Sequence, residues 1–107
     1  MLPKKNRLDT KTVEKVFKMG TFINSQSLTL RFLKEKENLQ IHISVVAPKS
    51  VAKRATERNL LRRRGYIALN GTISKFPPGF TGVLVFKKPI PLLEVKNEIE
   101  ILLNKIN

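Results

Sequence analysis

The sequence predicts an α+β sandwich, with helices covering a small, mixed four-stranded sheet in the order α-β-β-β-α-β-α. Three observations lead there. Two runs, at 28–34 and 39–45, alternate apolar and polar side chains with the period of a half-buried strand. One run, Gly82-Val83-Leu84-Val85-Phe86, is continuously apolar, as in a strand covered on both faces. Three stretches, near 10–19, 55–71 and 92–106, carry apolar residues at helical spacing. A chain of 107 residues with no repeat or long Gly/Ser linker is expected to form one domain over 1–107.

In chain order, TKTVEKVFKM at 10–19 suits a short helix. Thr10 or Thr12 is placed to cap it, Val13, Val16 and Phe17 form its apolar stripe, and Gly20 stops it. Thr21–Asn24 reads as a brief strand. In the next run Leu28, Leu30 and Phe32 face one way, with Thr29 and Arg31 opposite. A polar turn, Glu35-Lys36-Glu37-Asn38, leads to a run with Leu39, Ile41, Ile43 and Val45 on one side and Gln40, His42 and Ser44 on the other. Two such runs joined by a short turn are expected to pair as an antiparallel hairpin, one face buried and one polar. Pro48 ends the second run, and a helix begins near Ala55–Thr56 and closes around Asn70-Gly71. Pro77-Pro78-Gly79 breaks the chain before the apolar strand, and Pro89 and Pro91 bend it afterwards. Leu92, Val95, Ile99, Leu102, Leu103 and Ile106 then give a last helix one face for the sheet.

Charge narrows the function. Lys and Arg number 21 against 8 acids, a net charge of +13, which points to a polyanionic partner and first to nucleic acid. The segment KSVAKRATERNLLRRRGY at 49–66 concentrates that charge against the single acid Glu57. At about 100° per residue, Arg58, Asn59, Arg62, Arg63 and Tyr66 share one side, with Leu60, Leu61, Ile67 and Ala68 on the other. One face of this helix is expected to anchor in the core. The other offers planar guanidinium forks that match phosphate oxygens in pairs. Arg64 points toward the apolar side and is expected to snorkel at its edge.

Other functions find little footing. One histidine and no cysteine leave the usual nucleophile–base pairs nearly absent. Glu94, Glu98 and Glu100 read as the solvent face of the last helix, and no Gly-rich phosphate loop follows a strand. No apolar run approaches the roughly 20 residues of a spanning helix, and a cysteine-free chain fits a reducing cytoplasm.

With the basic helix placed after the expected hairpin, the chain resembles the protein subunit of bacterial ribonuclease P. That family joins R-L-x(4–5)-F-x-x-V-F-x-x-G to a central K-x(3–4)-K-x-A-x-x-R-N-x-x-[KR]-R. The first motif is matched by Arg7-Leu8 and by Val13-Glu14-Lys15-Val16-Phe17-Lys18-Met19-Gly20, and the second by Lys49, Lys53, Ala55, Arg58-Asn59 and Arg62-Arg63. Three positions depart from the family: Leu60 and Tyr66 replace arginines of the basic helix, and Val13 replaces the first aromatic. With these departures the chain resembles a divergent branch of that family.

The resemblance implies a ribosomal protein S5 domain 2-like fold with a left-handed β-α-β crossover, against the usual hand. It implies an endoribonuclease whose catalytic RNA, with bound Mg²⁺, removes the 5′ leader of precursor tRNA, and a protein with no catalytic residues and no metal of its own. The partners implied are ribonuclease P RNA and precursor tRNA. Carried over, Arg58, Asn59, Arg62 and Arg63 would face the catalytic RNA, supported by Lys49, Lys53 and Arg54 from the start of the basic segment. Phe17 would help line a cleft for the leader, together with Arg31, Gln40, His42 and Ser44 from the polar side of the sheet and Tyr66 from the helix. Such a positive groove with an aromatic platform suits a single strand held without sequence preference. The alternative reading is a ribosomal-protein-like module that binds ribosomal RNA and has no part in cleavage.

Overall fold

The structure, a computed structural model, describes residues 10–34 and 40–106. Arg7, Leu8, the turn at 35–38 and Leu39 lie outside the described residues, as do the side chains of Thr10 and Thr12. The elements are α1 (Thr10–Met19), β1 (Thr21–Asn24), β2 (Leu28–Lys34), β3 (His42–Val46), α2 (Ala55–Thr72), β4 (Phe80–Phe86) and α3 (Leu92–Ile106), with a 3-10 turn at Ile73–Lys75 after α2. The order is the one the sequence predicts. Ile41 precedes β3, and β4 begins at Phe80, ahead of the expected Gly82.

The sheet has four strands in the order β1-β2-β4-β3. β2 runs antiparallel to both β1 and β4, while β3 is parallel to β4. The expected hairpin between the two alternating runs therefore does not form, because β4 lies between them. The antiparallel hairpin is β1–β2, turning at Ser25-Gln26-Ser27. The reason is burial. β4 is apolar on both sides, so it belongs at the centre, where neighbours bond both edges and helices cover both faces.

On one face Leu28, Leu30, Ile43, Val45, Phe80, Leu84 and Phe86 pack with Leu61, Ala68 and Leu69 of α2 and Val95, Ile99, Leu102 and Leu103 of α3. Phe80 stacks on Phe32 and tilts against Phe76, each with ring centroids 5.0 Å apart. On the other face α1 lies against β2 and β4, and Val16 and Val83 are fully buried outside the main core. Ser44 and Thr81 are buried as well, so this side is not the solvated face that alternation suggests. Among the described residues no helix is long and apolar enough to cross a membrane.

The buried face of α2 is Leu61, Gly65, Ala68, Leu69 and Thr72, which corrects the sequence assignment. Ala68 and Leu61 are inside as expected, but Leu60 and Ile67 are 46% and 39% exposed. The helix is rotated toward Gly65 because β3 passes closest there. A Cβ on Gly65 would lie 2.7 Å from Val45 Cγ1 and 3.0 Å from Val45 Cγ2. The glycine that weakens an isolated helix is what lets this one sit down on the sheet.

The last helix also departs from its expected solvent face. Glu98 is only 7% exposed. It accepts a hydrogen bond from Ser25 Oγ at 2.5 Å and from the Ser27 backbone N–H at 2.7 Å, tying α3 to the β1–β2 turn. Lys87 Nζ and Lys105 Nζ close the same corner, donating to the carbonyls of Ser25 at 2.8 Å and Asn24 at 2.5 Å. Burial pushes the Glu98 carboxyl up, but the bonds from Ser25 and Ser27 and the charge of Lys87 together outweigh it and hold the group below its ordinary value.

Two predictions follow from this packing. Gly65→Ala is expected to destabilise the protein by about 1–3 kcal/mol through overpacking against Val45. Gly71→Ala in the same helix, where an added Cβ meets nothing within 4 Å, is expected to stabilise it by about 0.4–1 kcal/mol, so thermal unfolding should shift in opposite directions for the two. Because folding lowers the Glu98 pKa, its contribution is fully present above the unfolded value of about 4.3 and disappears as pH falls through the folded value. The stability gap between the wild type and Glu98→Gln, measured by urea unfolding, should be widest near neutrality and close on acidification below about pH 4.

Candidate RNA interface

Two charged surfaces lie on opposite faces of the sheet. The first is built on α2 and the loop before it. Lys49, Lys53 and Arg54 are exposed on the loop, and Arg63 and Asn59 are exposed on the helix. Arg62, half-buried, donates through Nη2 to the Asn59 side-chain oxygen one turn back, so the pair presents a joined polar edge. Arg54 approaches Glu57 at 3.9 Å, with both side chains largely in solvent. Arg58 is also half-buried, and its Nη1 is committed to the carbonyls of Ala52 at 3.1 Å and Lys53 at 2.7 Å. Arg64 reaches the Ile90 carbonyl at 3.0 Å, the edge position expected of it. Beside it, Leu60 and Leu61 join Ala52, Glu57 and Pro89 around a pocket of about 150 Å³.

The second surface is the sheet face that carries α1. Register places Phe22 opposite Arg31, Arg31 opposite Val83, and Ser44 opposite Val83, so these side chains project to one side. Arg31 Cζ lies 5.1 Å from the Phe17 ring centroid and 5.4 Å from that of Phe22. Its Nη1 also donates to the Phe17 carbonyl at 3.4 Å, which ties the end of α1 to β2. The guanidinium is thus held between two rings that remain 38% and 55% exposed. Such cation–π contacts keep a charge at the surface with its orientation fixed.

Of the residues proposed for the cleft, the structure brings Phe17 and Arg31 together. His42 shares their sheet face but stands beyond β4, two strand spacings across and two residues along from Arg31, roughly 12 Å away. Gln40 is exposed just ahead of β3. Tyr66 sits on the α2 side, half-buried against the core, and its hydroxyl accepts the Val45 backbone N–H at 3.2 Å on the outer edge of β3. Phe22 is the residue that sequence reasoning missed. Its strand is short, and no pattern within it shows that position 22 will face Arg31; only the hairpin register does. Among the described residues no three His, Asp or Glu groups gather, so the described side chains offer no carboxylate cage for Mg²⁺.

Comparison with known proteins agrees with this architecture. The family model described as Ribonuclease P matches residues 2–107. The ribonuclease P protein component of Synechococcus elongatus is 35% identical over 80 residues, which span 72% of this chain and 66% of that relative. The ribonuclease P protein of Staphylococcus aureus superposes with a TM-score of 0.83 at 16% identity, covering 97% of both chains. That of Thermotoga maritima gives 0.80 at 21% identity, covering 94% of this chain and 97% of the other. The two structures share the fold.

Tyr66→Phe removes the partner of the Val45 amide at the sheet edge. It is expected to lower stability by about 1 kcal/mol and to speed hydrogen exchange at Val45 while leaving the β4 amides slow.

Proposed function

The chain belongs to the ribonuclease P protein family, and from that premise we propose that it is the RNA-binding protein subunit of a ribonucleoprotein endonuclease that removes 5′ leaders from precursor tRNA. The RNA partner carries the catalysis and its Mg²⁺, and this protein supplies binding, orientation and counter-charge in the cytoplasm. The α2 surface, with Arg62, Arg63 and Asn59 on the helix and Lys49, Lys53 and Arg54 on the loop, meets the catalytic RNA. Neutralising its phosphates there lowers the repulsion that folding and substrate docking must overcome.

The face beneath α1 takes the leader. The observation that carries this reading is the Arg31 guanidinium held between the exposed rings of Phe17 and Phe22. A single strand needs fixed positive charge for its backbone and flat apolar surface for its bases, and this cluster supplies both within one contact distance. His42 and Gln40 extend the polar path past β4, and Tyr66 steadies the strand that carries His42. Because the two surfaces are on opposite faces of the sheet, the protein can hold catalytic RNA and leader at once.

The test is reconstitution with the host's ribonuclease P RNA at low Mg²⁺, using precursor tRNA with and without a leader several nucleotides long. Stimulation of cleavage that depends on the leader is expected. Phe22→Ala should weaken precursor binding by about 1–3 kcal/mol without changing affinity for leaderless tRNA. Arg62→Ala and Arg63→Ala should each reduce the salt-dependence slope of binding to the catalytic RNA by about 0.7–0.9. Stimulation indifferent to leader length removes the cleft reading, and absence of stimulation by folded protein favours the ribosomal RNA-binding alternative.

A further inference from the structure

The loop that connects β3 to α2 is held from an unusual direction. Val51 and Ala52 both donate their backbone N–H to the Pro48 carbonyl, at 3.0 and 3.1 Å, and the Ala52 side chain is buried in the core. The helix that follows has Arg54 at its N-cap, with no side-chain capping bond. Instead, Arg58 reaches back from one turn inside and gathers the Ala52 and Lys53 carbonyls on a single nitrogen. Its own backbone N–H closes the first helical turn onto the Arg54 carbonyl at 3.1 Å. A cation in the first turn of a helix works against the helix dipole, so its presence there calls for a compensating role.

We propose that Arg58 is a positioning residue: its guanidinium fixes the 48–54 loop so that Lys49, Lys53 and Arg54 stand together toward RNA phosphates. This rests on the RNA-binding reading above and moves the centre of that surface off the helix and onto the loop. The surrounding residues point the same way. Leu60 lines an apolar pocket, Arg64 is turned to the Ile90 carbonyl, and Tyr66 is turned to the edge of β3. The cations of the segment that lie largely in solvent are those of the loop and Arg63. The partner chemistry is a run of phosphates that spans the loop, met by charges whose mutual spacing depends on the clamp.

The experiment compares Arg58→Ala, the triple variant Lys49→Ala/Lys53→Ala/Arg54→Ala, and the two combined, in titrations of the host's ribonuclease P RNA over a range of salt. Backbone hydrogen exchange of the RNA-free proteins is measured alongside. If Arg58 works through the loop, Arg58→Ala lowers the salt slope by about two phosphate contacts or more, where one direct contact accounts for 0.7–0.9. It then adds little to the triple variant, and exchange at Val51 and Ala52 accelerates without RNA. A one-contact slope change, losses that add to those of the triple variant, and unchanged exchange overturn the proposal. Should Arg58→Ala fail to fold, Arg58→Met, which keeps the aliphatic stem, is read by the same outcomes. If the unsubstituted protein binds no RNA, the RNA reading falls. Unchanged exchange at Val51 and Ala52 in Arg58→Ala would then overturn the clamp independently.

Discussion

Seven residues of β4 must be kept from water on both faces, and most of the molecule can be understood as the means of doing so. Phe80, Leu84 and Phe86 turn to one side, where α2 and α3 cover them, and Val83 turns to the other, beneath α1. Each buried apolar side chain of this size is worth about 1.5–3 kcal/mol relative to exposure. A strand with two such faces therefore outcompetes its neighbours for the central position. Once β4 is central, β2 and β3 are separated, α1 is committed to one face and α2 to the other. The two charged surfaces inherit their opposite placement from that commitment.

A chain with 21 cations and 8 acids has too few acids to pair with its cations. It uses carbonyl oxygens instead. Arg31 donates to the Phe17 carbonyl, Arg58 to those of Ala52 and Lys53, Arg64 to that of Ile90, Lys87 to that of Ser25 and Lys105 to that of Asn24. These bonds hold element ends and loops together while leaving the positive charge intact for a polyanion. Glu98 is the complement: one buried carboxylate, surrounded by donors, that ties the last helix to the first hairpin.

The element order was legible because each element carries its own period: two in the alternating strands, 3.6 in the helices, none in the doubly covered strand. The basic segment was legible because its cations cluster in the sequence itself, but that clustering does not show that Arg58 turns back to the Ala52 and Lys53 carbonyls. The features that escaped all depend on what lies across a contact. Nothing in Leu28–Lys34 or in the run at 39–45 says that Phe80–Phe86 will come between them. Leu60 and Ile67 look like core residues until the close approach of Val45 turns Gly65 inward. Glu98 has the spacing of a surface acid, and only the hairpin turn explains its burial. Phe22 acquires meaning from the residue opposite it.

The central strand is also a late one. During synthesis from the N-terminus, β1, β2 and β3 are all made before β4, and β2 and β3 have no sheet partner on their inner edges until it inserts. Their pairing joins residues distant along the chain, the kind of contact that forms slowly, and open strand edges invite association with other chains in the interval. A nascent chain emerging as far as α2 therefore already displays its basic segment while its sheet is still unclosed. Order of appearance, as much as final position, gives the polyanion its first opportunity to meet this protein.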